Sequence, residues 1–104
     1  MKILEKELEQ KLVQGVKRLG GWALKFTSPG QDGVPDRIVM MPGKTYFVEM
    51  KAPGEKPRPL QQVVIRRMRR LHQKVFTVDS EEELAKLLQY MLDDQCKIDR
   101  RAML

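Results

Sequence analysis

The feature that most constrains the fold is a pair of apolar segments joined by a short Pro-Gly turn, between Gly33 and Gly54. The first segment reads RIVMM over residues 37–41, and the second reads TYFVEM over residues 45–50. Two runs of β-branched and aromatic residues on either side of a tight connection predict an antiparallel hairpin. The chain is therefore expected to contain a sheet that includes this hairpin.

Three charged side chains stand near the open end of the predicted hairpin. Side chains alternate between the two faces of a strand, so Glu49 and Lys51 share one face of the second strand. Asp36 comes directly before the first strand, and pairing of the two strands places it opposite Glu49. The hairpin thus gathers two carboxylates and one ammonium group into a single cluster.

A cluster of this composition suits a hard divalent cation, because Mg²⁺ binds oxygen ligands and keeps several waters. Asp36 and Glu49 are the candidate carboxylate ligands, and the backbone carbonyl of Met50 lies between Glu49 and Lys51. A cation held there polarises a phosphoryl oxygen and lowers the pKa of a bound water. Lys51 is expected to orient or deprotonate that water, or to offset charge in the transition state. These residues predict phosphodiester hydrolysis with Mg²⁺ or Mn²⁺ as cofactor.

The E-x-K spacing by itself is a weak signal. In a chain with 33% charged residues it arises easily, and on an exposed strand it is usually a solvated ion pair. Its combination with G-x-P-D one strand earlier is more specific.

The remaining pattern predicts a single α/β domain over residues 1–104, with helices on a small mixed sheet. Residues 93–104 either fray or extend the last helix. Ser80 and Glu83 form a capping-box signature at the start of that helix. The predicted elements, in chain order, are helix 3–19, strand 22–26, strands 37–41 and 45–50, helix 60–71, strand 74–78 and the helix after Ser80.

Two flanking helices carry polar side chains that could reach the cluster. Glu5 and Glu9 lie at the margin of the apolar stripe of the first helix, as a third carboxylate or as ordinary rim residues. Gln61 projects from the apolar side of the second helix. A buried amide needs a partner, because an unsatisfied one costs about 1–3 kcal/mol. The polar groups of the cluster, or other core groups, are the candidates.

The net charge of +6 and the pI near 9.7 favour an anionic partner, most commonly a nucleic acid. Arg66, Arg69 and Arg70 fall on the outward face of the second helix and suit contacts with DNA phosphates. Lys56 and Arg58, in the proline-rich segment before that helix, are further candidates. The arginine face could equally bind a protein partner.

Other features bear on the compartment. The single cysteine, Cys96, excludes an internal disulfide framework and predicts a reducing, cytoplasmic setting. No apolar run approaches the roughly 20 residues needed to span a bilayer, so no membrane association is expected. The first ten residues, MKILEKELEQ, lack the apolar stretch of a signal peptide.

Nearly the whole chain resembles the stand-alone VRR-NUC domain (virus-type replication–repair nuclease) of the PD-(D/E)XK nuclease superfamily. The segments that carry the resemblance are ELEQKLVQGVKRLGGWALKF, SPGQDGVPDR, FVEMKAPGEKPRPLQ and VFTVDSEEEL. The resemblance implies a restriction-endonuclease-like αβββαβ core and metal-dependent cleavage of DNA. The catalytic residues that it implies are Asp36, Glu49, Lys51 and the motif glutamine Gln61, with Glu9, or less favourably Glu5, as the helix glutamate.

Short members of this family are similar in architecture to homodimeric Holliday-junction resolvases, and phage and bacterial sources are common. The resemblance therefore implies branched or junction DNA as substrate, a homodimer, and a bacterial or phage-infected cytoplasm. One departure is His72, where the family usually has a glycine with positive φ after the helix. The alternatives are a non-catalytic nucleic-acid-binding module of the same fold and a subunit whose arginine helix docks a protein.

Overall fold

The chain folds into three helices and one four-stranded sheet, in the order that the sequence predicts. The structure is a computed structural model that describes the backbone of residues 4–103 and the side chains of residues 4–97. The helices are α1 (Glu5–Arg18), α2 (Pro59–Arg70) and α3 (Glu81–Met103), and the strands are β1 (Trp22–Lys25), β2 (Arg37–Met41), β3 (Lys44–Met50) and β4 (Val75–Val78). The predicted α/β arrangement with a small mixed sheet is confirmed.

The ends of the elements differ little from the predicted ones. Strand β2 has the predicted bounds, and the other differences within the described residues amount to one or two positions. The segment 93–103 continues α3, so the helix extension is the correct alternative there. The predicted helix positions at residue 3 and residue 104 lie outside the described residues.

The sheet has the strand order β1-β2-β3-β4. Strands β1, β2 and β3 are antiparallel neighbours, whereas β4 runs parallel to β3 after the crossover through α2. In the hairpin, Arg37 pairs with Val48 and Met41 pairs with Lys44. This register continues beyond the strand to place Asp36 beside Glu49.

The two faces of the sheet are covered differently. Helices α1 and α3 pack on the face that carries Val48 and Met50, and together they form the buried apolar core. Burial of each large aliphatic side chain there contributes about 1.5–3 kcal/mol, so this face supplies most of the stabilisation. The core side chains from the two helices are Leu8, Leu12, Val16, Leu84, Leu87 and Met91.

Helix α2 covers the other face. Helical spacing in the sequence predicts an apolar stripe of Leu60, Val64, Met68 and Leu71, but the helix buries a different line of residues. Gln61 and Ile65 are the buried positions, while Leu60 and Leu71 are 50% and 65% exposed. The helix therefore contacts the sheet through its Gln61–Ile65 side. Part of the apolar stripe faces a groove between α2 and the sheet instead of the core.

Two helix ends bear on features of the sequence: the cap geometry left open by the departure at His72 is now defined, and one of the two hydrogen bonds of the Ser80–Glu83 capping box is observed. His72, just after α2, adopts φ 63°, the left-handed conformation that a glycine takes at this position. The backbone N–H of Glu83 donates to the Ser80 hydroxyl oxygen at 3.1 Å at the start of α3. Among residues 4–103, none of the helices combines the length and apolarity needed to cross a membrane.

Candidate active site

The open end of the β2–β3 hairpin brings Asp36 and Glu49 together through a reciprocal pair of hydrogen bonds. The backbone N–H of Asp36 donates to Glu49 Oε1 at 3.2 Å. In return, the backbone N–H of Met50 donates to Asp36 Oδ2 at 3.0 Å. The predicted position of Asp36 opposite Glu49 is thus confirmed, and the strand register is its cause.

Glu49 is fully buried, and two side chains bind its second oxygen. Lys51 Nζ lies 2.9 Å from Glu49 Oε2, because the two residues share one face of the chain. Gln61 Nε2 donates to the same oxygen at 2.6 Å from the first turn of α2. The cluster predicted at the hairpin end therefore forms, and the buried amide has the polar partner that it needs.

Gln61 is fixed at both ends of its amide group. Its Oε1 accepts a hydrogen bond from the backbone N–H of Arg58 at 3.0 Å, which satisfies a donor at the start of α2. Its Nε2 holds Glu49, so one side chain both caps the helix and orients the carboxylate. With these contacts the amide is paired although the residue is buried.

The electrostatics of the cluster favour an additional positive charge. Burial raises the pKa of Glu49, the hydrogen bond and charge of Lys51 lower it, and the neighbouring Asp36 carboxylate raises it further, with a net shift upward. Among the described residues Glu49 has one ammonium partner and a neighbouring carboxylate, and burial disfavours its ionised form. A bound cation would offset this cost directly.

The donor set fits a hard divalent cation. An ionised carboxylate offers about four lone-pair sites. Glu49 accepts three hydrogen bonds and Asp36 accepts one in the described part of the chain, so each keeps acceptor capacity. The backbone carbonyl of Met50 follows Glu49 in sequence. Carboxylate, carbonyl and water oxygens are the ligands that Mg²⁺ and Mn²⁺ prefer.

Glu9 lies near this cluster but makes its contacts elsewhere. Its Oε1 accepts from Arg37 Nε at 2.8 Å and lies 2.7 Å from the Arg37 Nη2 atom. Glu5, Glu9 and Asp36 line a common cavity of about 220 Å³. Within residues 4–97, no three Asp, Glu, His or Cys side chains come close enough together to hold a metal ion. The metal roles of Glu9 and Glu5 stay predictions.

Sequence reasoning missed Arg37 as the partner of Glu9. The available signal was that Arg37 is the first residue of β2. Alternation along the strand directs its side chain to the same face as Val39, on which α1 packs. The contact depends on where α1 rests on the sheet, which strand periodicity does not fix.

The basic residues predicted to contact DNA occupy two places. Arg66 and Arg70 are exposed on α2, and Lys56 and Arg58 are exposed on the segment between β3 and α2. Arg69 is also exposed, but its guanidinium donates to the Val75 carbonyl at 3.2 and 2.7 Å. It therefore ties α2 to β4, which sequence reasoning did not foresee. The DNA contacts of all five remain predictions.

Comparison with known proteins agrees with this fold. A solved structure described as a VRR_NUC domain superposes with a TM-score of 0.77 at 32% sequence identity, covering 82% of this chain and 94% of that chain. A protein of Acyrthosiphon pisum secondary endosymbiont phage 1, named "Putative nuclease p44", is 49% identical over 81 residues. That match spans 77% of this chain and 87% of the phage protein. No family model matches the chain.

A four-stranded mixed sheet between helices, with two carboxylates and a lysine at the end of its hairpin, defines a restriction-endonuclease-like α/β domain of the PD-(D/E)XK type. Within that class, the identity and coverage of these matches settle the family. The chain belongs to the VRR-NUC family.

Proposed function

We propose that the protein is an endonuclease that hydrolyses phosphodiester bonds in DNA, with Mg²⁺ or Mn²⁺ as its cofactor. The observation that carries this proposal is the meeting of Asp36, Glu49 and Lys51 at one end of the β2–β3 hairpin. Membership of the VRR-NUC family and the name of the phage relative support a nuclease. The net charge of +6 supports a polyanionic substrate.

The side chains of the cluster have separable roles in this proposal. Asp36 and Glu49 would hold the divalent cation, which would supply Lewis acidity toward a phosphoryl oxygen and would lower the pKa of a bound water. An ammonium group has three N–H donors, and Lys51 uses one on Glu49 at 2.9 Å. Its other donors can bind a non-bridging phosphate oxygen and offset the charge that develops on it. Gln61 keeps Glu49 in one orientation.

We further propose that the substrate is branched or Holliday-junction DNA and that two copies of the chain act together. Two copies related by a two-fold axis would present two equivalent sites, which matches the pairwise symmetry of a junction. The exposed Lys56, Arg58, Arg66 and Arg70 would contact phosphates on either side of the cluster. A bacterial or phage-infected cytoplasm is the proposed setting.

The deciding experiment is cleavage of a four-way junction, a linear duplex and a single strand, with Mn²⁺ and without divalent metal. We expect metal-dependent cleavage that is strongest on the junction. Lys51→Ala should lower the rate by about 100-fold or more, since it removes a charge from the transition state. Lys86→Ala is the matched control, because that lysine lies on α3 and pairs only with Glu83 among the described residues.

The alternatives predict other results. Binding of DNA without cleavage in Mn²⁺ would favour a nucleic-acid-binding module that has the fold but lacks the activity. Cleavage at the full rate by Lys51→Ala would show that this cluster is not the active site. A monomer by light scattering at micromolar concentration would contradict the two-copy arrangement while leaving the nuclease proposal intact.

A further inference from the structure

An apolar groove lies between α2 and the sheet, and the proposed cleavage chemistry does not use it. Its volume is about 480 Å³, within the range of roughly 300–1,000 Å³ typical of sites for small organic groups. Phe26 and Phe47 line the sheet side, and Val64 and Met68 line the helix side. The groove therefore has the shape and lining of a binding site.

The groove adjoins the candidate active site. Phe47 and Glu49 lie on the same face of β3, two residues or about 7 Å apart along the strand. On the helix side, Leu60 lines the groove, and the next residue, Gln61, holds Glu49. A group seated in the groove would thus be a neighbour of whatever binds at the carboxylates.

The lining presents aromatic and apolar surface to the opening. The rings of Phe26 and Phe47 meet at 5.6 Å between centroids with an interplanar angle of 51°. Leu60, Val63 and Leu71 are between 50% and 65% exposed along one side of the groove. Contiguous exposed apolar surface of this kind marks a site for a ligand or partner.

The charge at the groove decides between the possible occupants. Arg67 is a lining residue, Arg70 follows it by three positions on α2, and no carboxylate lines the groove in the described part of the chain. A nucleotide combines a flat apolar base with an anionic phosphate and so complements this lining. A second copy of the chain would bring a net charge of +6 toward the same arginines. A nucleotide is the better match.

We propose that this groove receives one unpaired nucleobase of the DNA, next to the phosphate that is cut. The inference rests on the proposed function and narrows its substrate to DNA with an unpaired or readily unpaired base beside the scissile bond. Bases stack on aromatic side chains without regard to sequence, so the site would recognise structure rather than a base identity. A branch point, where pairing is interrupted, offers such a base.

The test compares binding of two junctions without divalent metal, so that no cleavage occurs. The reference junction has a natural base at each branch-point position. Each member of the abasic series has a tetrahydrofuran unit at a different one of these positions. At one position the abasic unit should weaken binding by about 5- to 100-fold, the range expected for stacking of one base. Val63→Trp, which fills the mouth of the groove, should abolish that difference, whereas the control Trp22→Ala should leave it unchanged. Trp22 is exposed on β1, outside the groove.

A second readout locates the base. With 5-iododeoxyuridine at the sensitive position, irradiation should crosslink the DNA to Phe26 or Phe47. Equal affinity for all abasic junctions, or crosslinks confined to residues outside the groove, would overturn the inference. So would a dimer that Val63→Trp converts to a monomer with base dependence unchanged, since the groove would then join two copies. In each case metal-dependent cleavage by the wild-type protein would leave the proposed function standing, and absence of both binding and cleavage would overturn both.

Discussion

Two buried carboxylates on opposite faces of the sheet, Glu49 and Asp94, have opposite electrostatics. Glu49 has one ammonium partner and a second carboxylate beside it, and its pKa is raised. Asp94, on α3, accepts from the Tyr46 hydroxyl and lies 3.1 Å from Lys74 and 3.6 Å from Lys44. Burial alone would raise the pKa of Asp94, but these hydrogen bonds and charges lower it overall. The charge of Asp94 is offset by two lysines, whereas Glu49 has one lysine and a second carboxylate beside it.

The residues around Asp94 also contact one another. Lys74 also donates to the Tyr90 hydroxyl at 2.8 Å and lies 5.0 Å from the centre of that ring. The Tyr90 ring packs on Phe76 and Tyr46, whose side chains connect α3 to β4 and β3. These contacts hold the long helix against the sheet. The Asp94 cluster therefore stabilises the fold, whereas the Glu49 cluster, with two carboxylates and one ammonium group among the described residues, has a deficit of positive charge.

Asp36→Asn should have the largest effect on activity and little effect on stability. We expect cleavage to fall by about 100- to 1,000-fold, because the variant removes a carboxylate ligand of the proposed cation, which would offset charge at the reacting phosphate. The unfolding free energy should change by less than about 1 kcal/mol, since the variant also relieves repulsion on Glu49. Cleavage rates and urea denaturation at one pH measure both. A loss of several kcal/mol would show that the pair stabilises the fold.

Asp94→Asn should lower the stability of the protein and have little effect on its activity. Removal of the charge of this buried carboxylate weakens the hydrogen bond that it accepts from Tyr46 and leaves two partly exposed lysines without their partner, and we expect a loss of about 2 kcal/mol in unfolding free energy. Cleavage measured well below the melting temperature should stay within a few-fold of the wild-type rate. Unchanged stability, or a large loss of cleavage in folded protein, would break the distinction between the two carboxylates.

Divalent metal should stabilise the protein only through the Glu49 side of the sheet. Mn²⁺ at 100 times its dissociation constant should add about 2.7 kcal/mol to the unfolding free energy. Asp94→Asn should keep this gain, and Asp36→Asn should lose most of it. Thermal unfolding with and without Mn²⁺ tests both variants, and an equal gain in the two would place the metal elsewhere.

The smallest expected difference is in how stability depends on pH. The contributions of Glu49 and Asp94 should change with pH in opposite directions. Because the pKa of Glu49 is raised in the folded state, its contribution to stability falls as the pH rises from about 4.5 toward that raised value. The pKa of Asp94 is lowered, so its contribution is present above 3.8 and is lost as the pH falls through the folded value. Mn²⁺-induced stabilisation should have a midpoint above pH 4.5, and titration of the two carboxylates by NMR would assign each sign. A midpoint at or below 4.5 would contradict the upward shift at Glu49.

The parts of this molecule that could be predicted are those set by local pattern. Alternation along β3 and the short turn fix the register, and the register alone brings Asp36 to Glu49. Gln61 could be recognised because an amide on an apolar helix side needs a partner.

The parts that could not be predicted depend on how distant elements pack. The pairing of Glu9 with Arg37 requires the position of α1 on the sheet, and the Asp94 cluster requires that of α3. The stripe of α2 was read as a core face, yet Leu60 and Leu71 are exposed because the helix leans on Gln61 and Ile65. Periodicity shows which residues share a side of a helix, but not which side meets the sheet.

The two hydrogen bonds of Gln61 have a consequence for how the site could sense its substrate. The backbone N–H of Arg58 holds one end of the amide, and Glu49 is bound to the other. The side chain of Arg58 is exposed at the start of α2, where a DNA phosphate would meet it. A phosphate that pulls on this residue therefore acts on the same peptide unit that sets the orientation of the buried carboxylate. Under the proposed function, arrival of the strand at Arg58 and orientation of the Glu49 carboxylate would be linked through these two hydrogen bonds.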